Sequence, residues 1–174
     1  MPRSPETGTL SFHFRSPGQI PEKNLLEIRD LVIRGGAVGT SWIDGMLRDA
    51  FLIGYAENPA GRVVGCEVLK RPKEAYRKKI EAATGLDLTG HLERGYAAVA
   101  EGHEGRGIMG TIVSGLIRHA GGRKAYVTIR MDNHPALRLT EKNGMRLAGR
   151  YVNPRTGHEI GVFVMGARPA PAPA

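Results

Sequence analysis

The chain has 174 residues, 41% of them hydrophobic and 24% charged, with a net charge of +8 and a pI near 10.0. That length suits one domain with a sizeable core, and no apolar run approaches the ~18 residues a membrane-spanning helix needs. The one cysteine, Cys66, excludes an intramolecular disulfide framework and a cysteine-rich zinc site. It sits in an apolar stretch, where a small buried hydrophobe is the ordinary reading.

In chain order, MPRSPETGT lacks the apolar core of a signal peptide, so a cytoplasmic location is expected. TLSFHF (9–14) reads as a first strand. Pro21 opens a helix with Leu25, Ile28 and Val32 on one face and Gly35 or Gly36 as its stop. SWIDGMLRDA (41–50) predicts a short helix capped by Ser41 with Asp44, its apolar side made by Trp42, Ile43, Met46 and Leu47. FLIGYAE (51–57) and RVVGCEVL (62–69), joined through Asn58-Pro59-Ala60-Gly61, have the pattern of a β-hairpin.

Residues 72–89 form a basic, amphipathic and partly helical excursion, the length of segment that often covers a substrate. LERGYAAV (92–99) is the next strand. After a polar loop, Ile108, Met109, Ile112, Val113, Leu116 and Ile117 make one helical stripe. KAYVTIR (124–130) is a strand. Asn133 leads into a helix with Pro135 in its first turn and Gly144 just past its end. MRLAGRYV (145–152) and EIGVFVM (159–165) form a last hairpin across NPRTG. The order β-α-α-β-β-β-α-β-α-β-β predicts an α/β (α+β) fold, a mixed and mostly antiparallel sheet with helices on both faces. One domain over residues 1–166 is expected, followed by a disordered Pro/Ala-rich tail at 167–174.

Gly105-Arg106-Gly107-Ile108-Met109-Gly110 opens the helix after the 92–99 strand. Glycine there lets a ligand approach the backbone, and the open amides of a helix N-terminus attract phosphate. The letters also satisfy the dinucleotide fingerprint G-x-G-x-x-G, with Asp132 where a ribose-binding carboxylate would stand. Context disfavours that reading: Ala100 to Glu104 separate strand from glycines, and no second βαβ half follows.

VAEGHEGRGIMGTIV instead resembles the acyl-CoA-binding motif of the GNAT superfamily of N-acetyltransferases, V-x-P-x-x-[QR]-G-x-G-[IL]-[GA]. Val99 falls on the leading valine, Glu104 on the Gln/Arg position, and Gly105, Arg106 and Gly107 on the loop. MDNHPALRLTEKNGM resembles the second signature, N-x-x-A-x-x-L-Y-x-x-x-G-F, through Asn133, Ala136, Leu139, Gly144 and Met145. Members of unassigned substrate from bacteria and phage share a similar RP…Y stretch before the fourth strand. Three departures from the family pattern matter: Met109 replaces Gly or Ala, Glu104 replaces Gln or Arg, and Thr140 replaces the tyrosine that often protonates the departing thiolate. A threonine hydroxyl is too weak an acid for that task, which leaves another tyrosine or water.

The resemblance implies direct attack of a primary amine on acetyl-CoA, with no metal. Cofactor contacts would come from Ala97, Ala98, Val99, Glu104, Gly105, Arg106, Gly107, Ile108, Met109, Gly110, Asn133 and Thr140. An oxyanion donor is expected from the main chain around Ala98 and Val99. Glu93 is the candidate base and His91, on the same face at period two, the second candidate. The plain alternative pairs Glu93 with Arg94 or Arg150. Tyr76 and Tyr151 are candidate acceptor-binding residues. The expected partner is a small-molecule or peptide amine, with no membrane and with a homodimer left open. A competing class is a non-catalytic or nucleic-acid-associated module on the same scaffold, suggested by the +8 charge and KRPKEAYRKK (70–79). A solvated helix face is the plain account of that run.

Overall fold

The computed structural model describes residues 8–36 and 41–165. The expected leader and tail readings therefore fall outside the described residues, apart from the end of the N-terminal stretch. Seven strands, β1 (Ser11–Arg15), β2 (Leu52–Glu57), β3 (Val63–Lys70), β4 (Leu92–Val99), β5 (Ala125–Arg130), β6 (Arg146–Val152) and β7 (Glu159–Met165), form one sheet. Their order is β1-β2-β3-β4-β5-β7-β6. Pairs β1/β2, β2/β3, β5/β7 and β6/β7 run antiparallel, while β4 and β5 run parallel. The helices are α1 (Glu22–Arg34), α2 (Ile43–Arg48), α3 (Glu74–Thr84), α4 (Ile108–His119) and α5 (His134–Lys142), with a 3-10 turn at Pro17–Gln19. The excursion before β4 thus contributes α3, a helix absent from the expected element order.

The chain clusters into two compact units, Met1–Arg71 with Arg94–Gly121 and Pro72–Glu93 with Gly122–Ala174. In the first, Leu25, Ile28, Leu31 and Val32 of α1 and Ile43 and Leu47 of α2 are buried with Ile53, Tyr55, Cys66 and Val68 of the strands. Helix α4 packs on β2 and β3 through Ile108, Ile112, Val113 and Leu116. Two missing side chains make that packing close. A Cβ on Gly65 would lie 2.5 Å from Ile108 Cγ2, and one on Gly115 would lie 1.9 Å from the Phe14 ring. The β2–β3 turn is as expected: Asn58 Oδ1 accepts the Arg62 N–H at 2.9 Å, and Gly61 takes φ +73°.

In the second unit, Ile80, Leu88, Tyr126, Val162 and Val164 form the core, with Leu86 and Tyr151 packed against it. Helix α3 lies on β6. The Arg77–Glu81 ion pair (2.6 Å) spans one of its turns, and Glu81 also accepts the Leu88 N–H at 2.8 Å, fastening the chain that leads into β4. Helix α5 begins as expected. Asn133 Oδ1 accepts the Ala136 N–H at 3.3 Å, and Gly144 follows the helix with φ +83°.

Two local expectations fail. The first strand starts at Ser11 rather than Thr9. Helix α2 is not capped by Ser41; Trp42 is its N-cap and makes no side-chain cap bond, and Trp42 is 42% exposed rather than on the apolar side. Asp44 instead lies 3.6 Å from Arg29 of α1, and an exposed ion pair has replaced the capping box.

Candidate active site

The first unit carries the far end of β4, the glycine loop and the start of α4. Strand alternation breaks within β4. Tyr96 takes φ 57°, a left-handed conformation that a bulky side chain adopts at a cost of about 1–3 kcal/mol. The ring stays buried, with Lys70 Nζ 4.2 Å from its centroid, while Ala97 turns outward and Ala98 and Val99 are half-buried. Small side chains follow the distortion and leave the main chain accessible. Cys66 Sγ donates to the Tyr96 carbonyl at 3.8 Å, and the Ala100 N–H donates to Val64 O at 2.9 Å, so β3 holds this segment.

The loop then coils tightly. Gly102, Gly105 and Gly107 all take positive φ (+82°, +73° and +71°), and at Gly105 and Gly107 a Cβ would meet no atom within 4 Å. Gly107 is the N-cap of α4 and has no side chain with which to cap it, so among the described residues the first-turn amides of Ile108, Met109 and Gly110 have no side-chain acceptor. Open glycines and uncapped amides fit a diphosphate, since the helix terminus carries partial positive charge. Glu104 is exposed and turned back on its own loop, where it accepts the Gly102 N–H at 2.8 Å. That contact gives the carboxylate a local role at the position where the family has Gln or Arg. Arg106 is exposed, Ile108 is buried in the core and Met109 is half-buried.

The second unit carries Glu93. It is 5% exposed and stands opposite Tyr126 in the β4–β5 ladder, which pairs Leu92 with Ala125 and Glu93 with Tyr126. Burial, then the charge of Glu93, pushes the Tyr126 phenol far above its ordinary value. Tyr151 is half-buried, and its phenol is also raised, by burial first and then by neighbouring Tyr76, with Glu93 adding to the effect. Tyr76 is 43% exposed. Glu93, Tyr76 and Tyr151, picked from sequence, are thus brought together in one cluster. His91 is half-exposed, with Nδ1 3.3 Å from the Thr89 carbonyl.

Arg94 bonds Glu67 at 3.0 and 3.2 Å in a pair that is almost wholly buried, and Arg150 bonds Glu159 at 3.0 Å. Asn133 is committed to capping α5, and Thr140 is buried at 1% exposure, so both serve the helix in this structure. Asp132 pairs with Arg130 at 2.6 Å. Within the 70–79 run, Lys70 is buried, Lys78 pairs with Glu74 at 2.8 Å and Arg77 with Glu81, so part of its charge is offset inside the helix. Among the described residues, no three His, Cys, Asp or Glu side chains gather as a metal site, and no helix is long and apolar enough to cross a membrane.

Sequence reasoning missed Tyr126 and Lys70. Lys70 ends β3 and Tyr126 stands second in β5, each a polar-tipped side chain beside apolar ones. That mismatch was visible, but the pairing that gives Tyr126 its neighbour depends on parallel register between segments about thirty residues apart.

Comparison with known proteins agrees with the fold. A structure of an acyl-CoA N-acyltransferase from Pseudomonas aeruginosa superposes with TM-score 0.67 at 11% identity, covering 91% of this chain and 100% of the other. Arabidopsis thaliana NAA60 in complex with acetyl-CoA gives 0.66 at 14% identity, over 89% and 99% of the two chains. Salmonella typhimurium yncA, solved with its cofactor acetyl-CoA, gives 0.62 at 16%, over 96% and 99%. No curated protein matches the chain in sequence. The mostly antiparallel sheet removes the dinucleotide reading of the glycines, and the family model described as "Acetyltransferase (GNAT) family" matches residues 39–145. The chain belongs to the GNAT acetyltransferase family.

Proposed function

We propose that this protein transfers an acetyl group from acetyl-CoA to a primary amine by direct attack of the amine nitrogen. The observation that carries this reading is the uncapped start of α4, preceded by Gly105 and Gly107 in left-handed conformations with open space where side chains would be. Those amides bind the coenzyme's diphosphate, and Arg106 adds charge at the exposed edge. The main chain around Ala98 and Val99 supplies an N–H to the acetyl carbonyl oxygen.

The thioester supplies an activated acetyl group. An N–C bond forms, the C–S bond breaks, and the sulfur leaves as thiolate. Before that the acceptor's ammonium must lose a proton, which Glu93 takes directly or through water. Its buried position beside phenols also favours a cationic acceptor, and Tyr76 and Tyr151 are its binding walls. His91 is the second candidate base. With Thr140 unsuited to acid catalysis, another tyrosine or water protonates the thiolate. NAA60 has been solved with a bisubstrate analogue, and the structural neighbours include a spermidine N-acetyltransferase chimera; both support an amine acceptor.

The test is direct. Acetyl-CoA at about 100 times its Kd stabilises the native state by about 2.7 kcal/mol, which a melting curve reads as a raised Tm. A thiol-release screen over amino acids, polyamines, aminoglycosides and peptides then identifies the acceptor. In Glu93→Gln, turnover falls at least 100-fold while acetyl-CoA affinity is kept. No Tm shift and no heat on titration with acetyl-CoA or CoA would overturn the assignment.

A further inference from the structure

Tyr126 is fully buried, and among the described residues its hydroxyl has no hydrogen-bond partner at full geometry, while the Glu93 carboxylate is near enough to help raise the phenol. A phenylalanine would fill the same volume in this apolar core without stranding a polar atom, and a stranded buried hydroxyl is destabilising. The cross-strand position explains its retention, because Glu93 is the residue directly opposite. Several groups, donors among them, face the pair. From β7 come Val162 and Val164, from β6 Tyr151, and from α3 Tyr76 and Arg77, while His91 precedes Glu93 on β4 itself.

We propose that Tyr126 is a positioning residue: its hydroxyl donates to the Glu93 carboxylate directly opposite, holding the carboxylate's direction while Tyr151 and Tyr76 face the acceptor. The proposal rests on Glu93 acting as the base. It adds a residue that neither the family's loop motif nor the acceptor walls contain. The raised Tyr126 phenol fits the role, since a hydroxyl that does not ionise remains a donor at every working pH.

The test uses the whole protein and needs no acceptor. With glutamate 13C-labelled at the carboxyl carbon, the infrared difference between wild type and Glu93→Gln isolates the Glu93 carboxylate band. In Tyr126→Phe that band shifts in frequency, because a buried carboxylate has lost a donor, and Tm holds or falls by a few degrees for the same reason. An unmoved band, whatever the Tm, overturns the proposal and leaves the hydroxyl a packing feature. Should Tyr126→Phe fail to fold, 13Cζ-tyrosine NMR carries the same test. One buried phenol carbon moves between wild type and Glu93→Gln if the contact exists, and none moves if it does not. Failure of acetyl-CoA to bind wild type is a separate result that bears on the proposed function and leaves the infrared outcome readable.

Discussion

Replacing Gly65 by alanine tests whether the sheet dictates where α4 begins. The new Cβ would stand 2.5 Å from Ile108 Cγ2 and 3.4 Å from Ile112 Cδ1. Ordinary contact starts near 3.4 Å, so Ile108 must retreat by about 0.9 Å. Rotating its side chain offers no escape, because a β-branched residue in a helix has essentially one χ1 rotamer. The first turn of α4 has to move instead. Overpacking of this kind costs about 1–3 kcal/mol, against about 0.4–1 kcal/mol regained because alanine restricts the unfolded chain. Strain wins, and at about 2–4 °C per kcal/mol Tm falls by several degrees. Because the displaced amides are those assigned to the diphosphate, acetyl-CoA affinity falls as well, by about 10-fold if one charge-assisted hydrogen bond is lost. Scanning calorimetry and isothermal titration read the two effects. Adding Ile108→Leu removes the branch methyl that clashes and restores both. A Gly65→Ala protein with wild-type Tm and wild-type affinity would refute the reasoning, as would a failure of the second change to rescue either property.

Other consequences follow from buried groups. Arg94→Met strands the Glu67 carboxylate, which burial already pushes upward and Arg94 pulls back, and stability at neutral pH should fall by about 3–5 kcal/mol in urea titration. A carboxyl raised in the folded state contributes stability below its unfolded value and loses it as pH rises through the folded one. The gap between Arg94→Met and wild type should therefore narrow as pH is lowered towards about 4.3. Replacing both partners with apolar residues should recover most of the loss. Burial pushes the Cys66 thiol up to about 12, so a disulfide-exchange reagent at about pH 8 should leave native protein untouched and titrate one thiol after denaturation. The same shift means that stability held below about pH 9 is lost as pH rises towards 12.

Much of the fold was legible because its signals are local. Asn58 and Gly61 specify a turn from four residues, Asn133 with Gly144 bounds a helix, and the stripe from Ile108 to Leu116 is an α-helical period that needs no partner to be read. The glycine loop was legible for the same reason: Gly105 and Gly107 answer to backbone conformation, which sequence encodes directly. Ser41 and Asp44 show the limit. Their spacing satisfies a capping box, yet an ion pair with Arg29, on a helix several residues upstream, took Asp44 away.

What tertiary structure alone decided is which residues meet. Insertion of β7 between β5 and β6, the departure of Tyr96 from strand geometry and the pairing of Glu93 with Tyr126 all depend on register between distant segments. A shift of one residue would turn each side chain to the opposite face. Residue types and loop conformation were written in the sequence; the neighbours of each charge were set by long-range strand pairing, for which no local period exists.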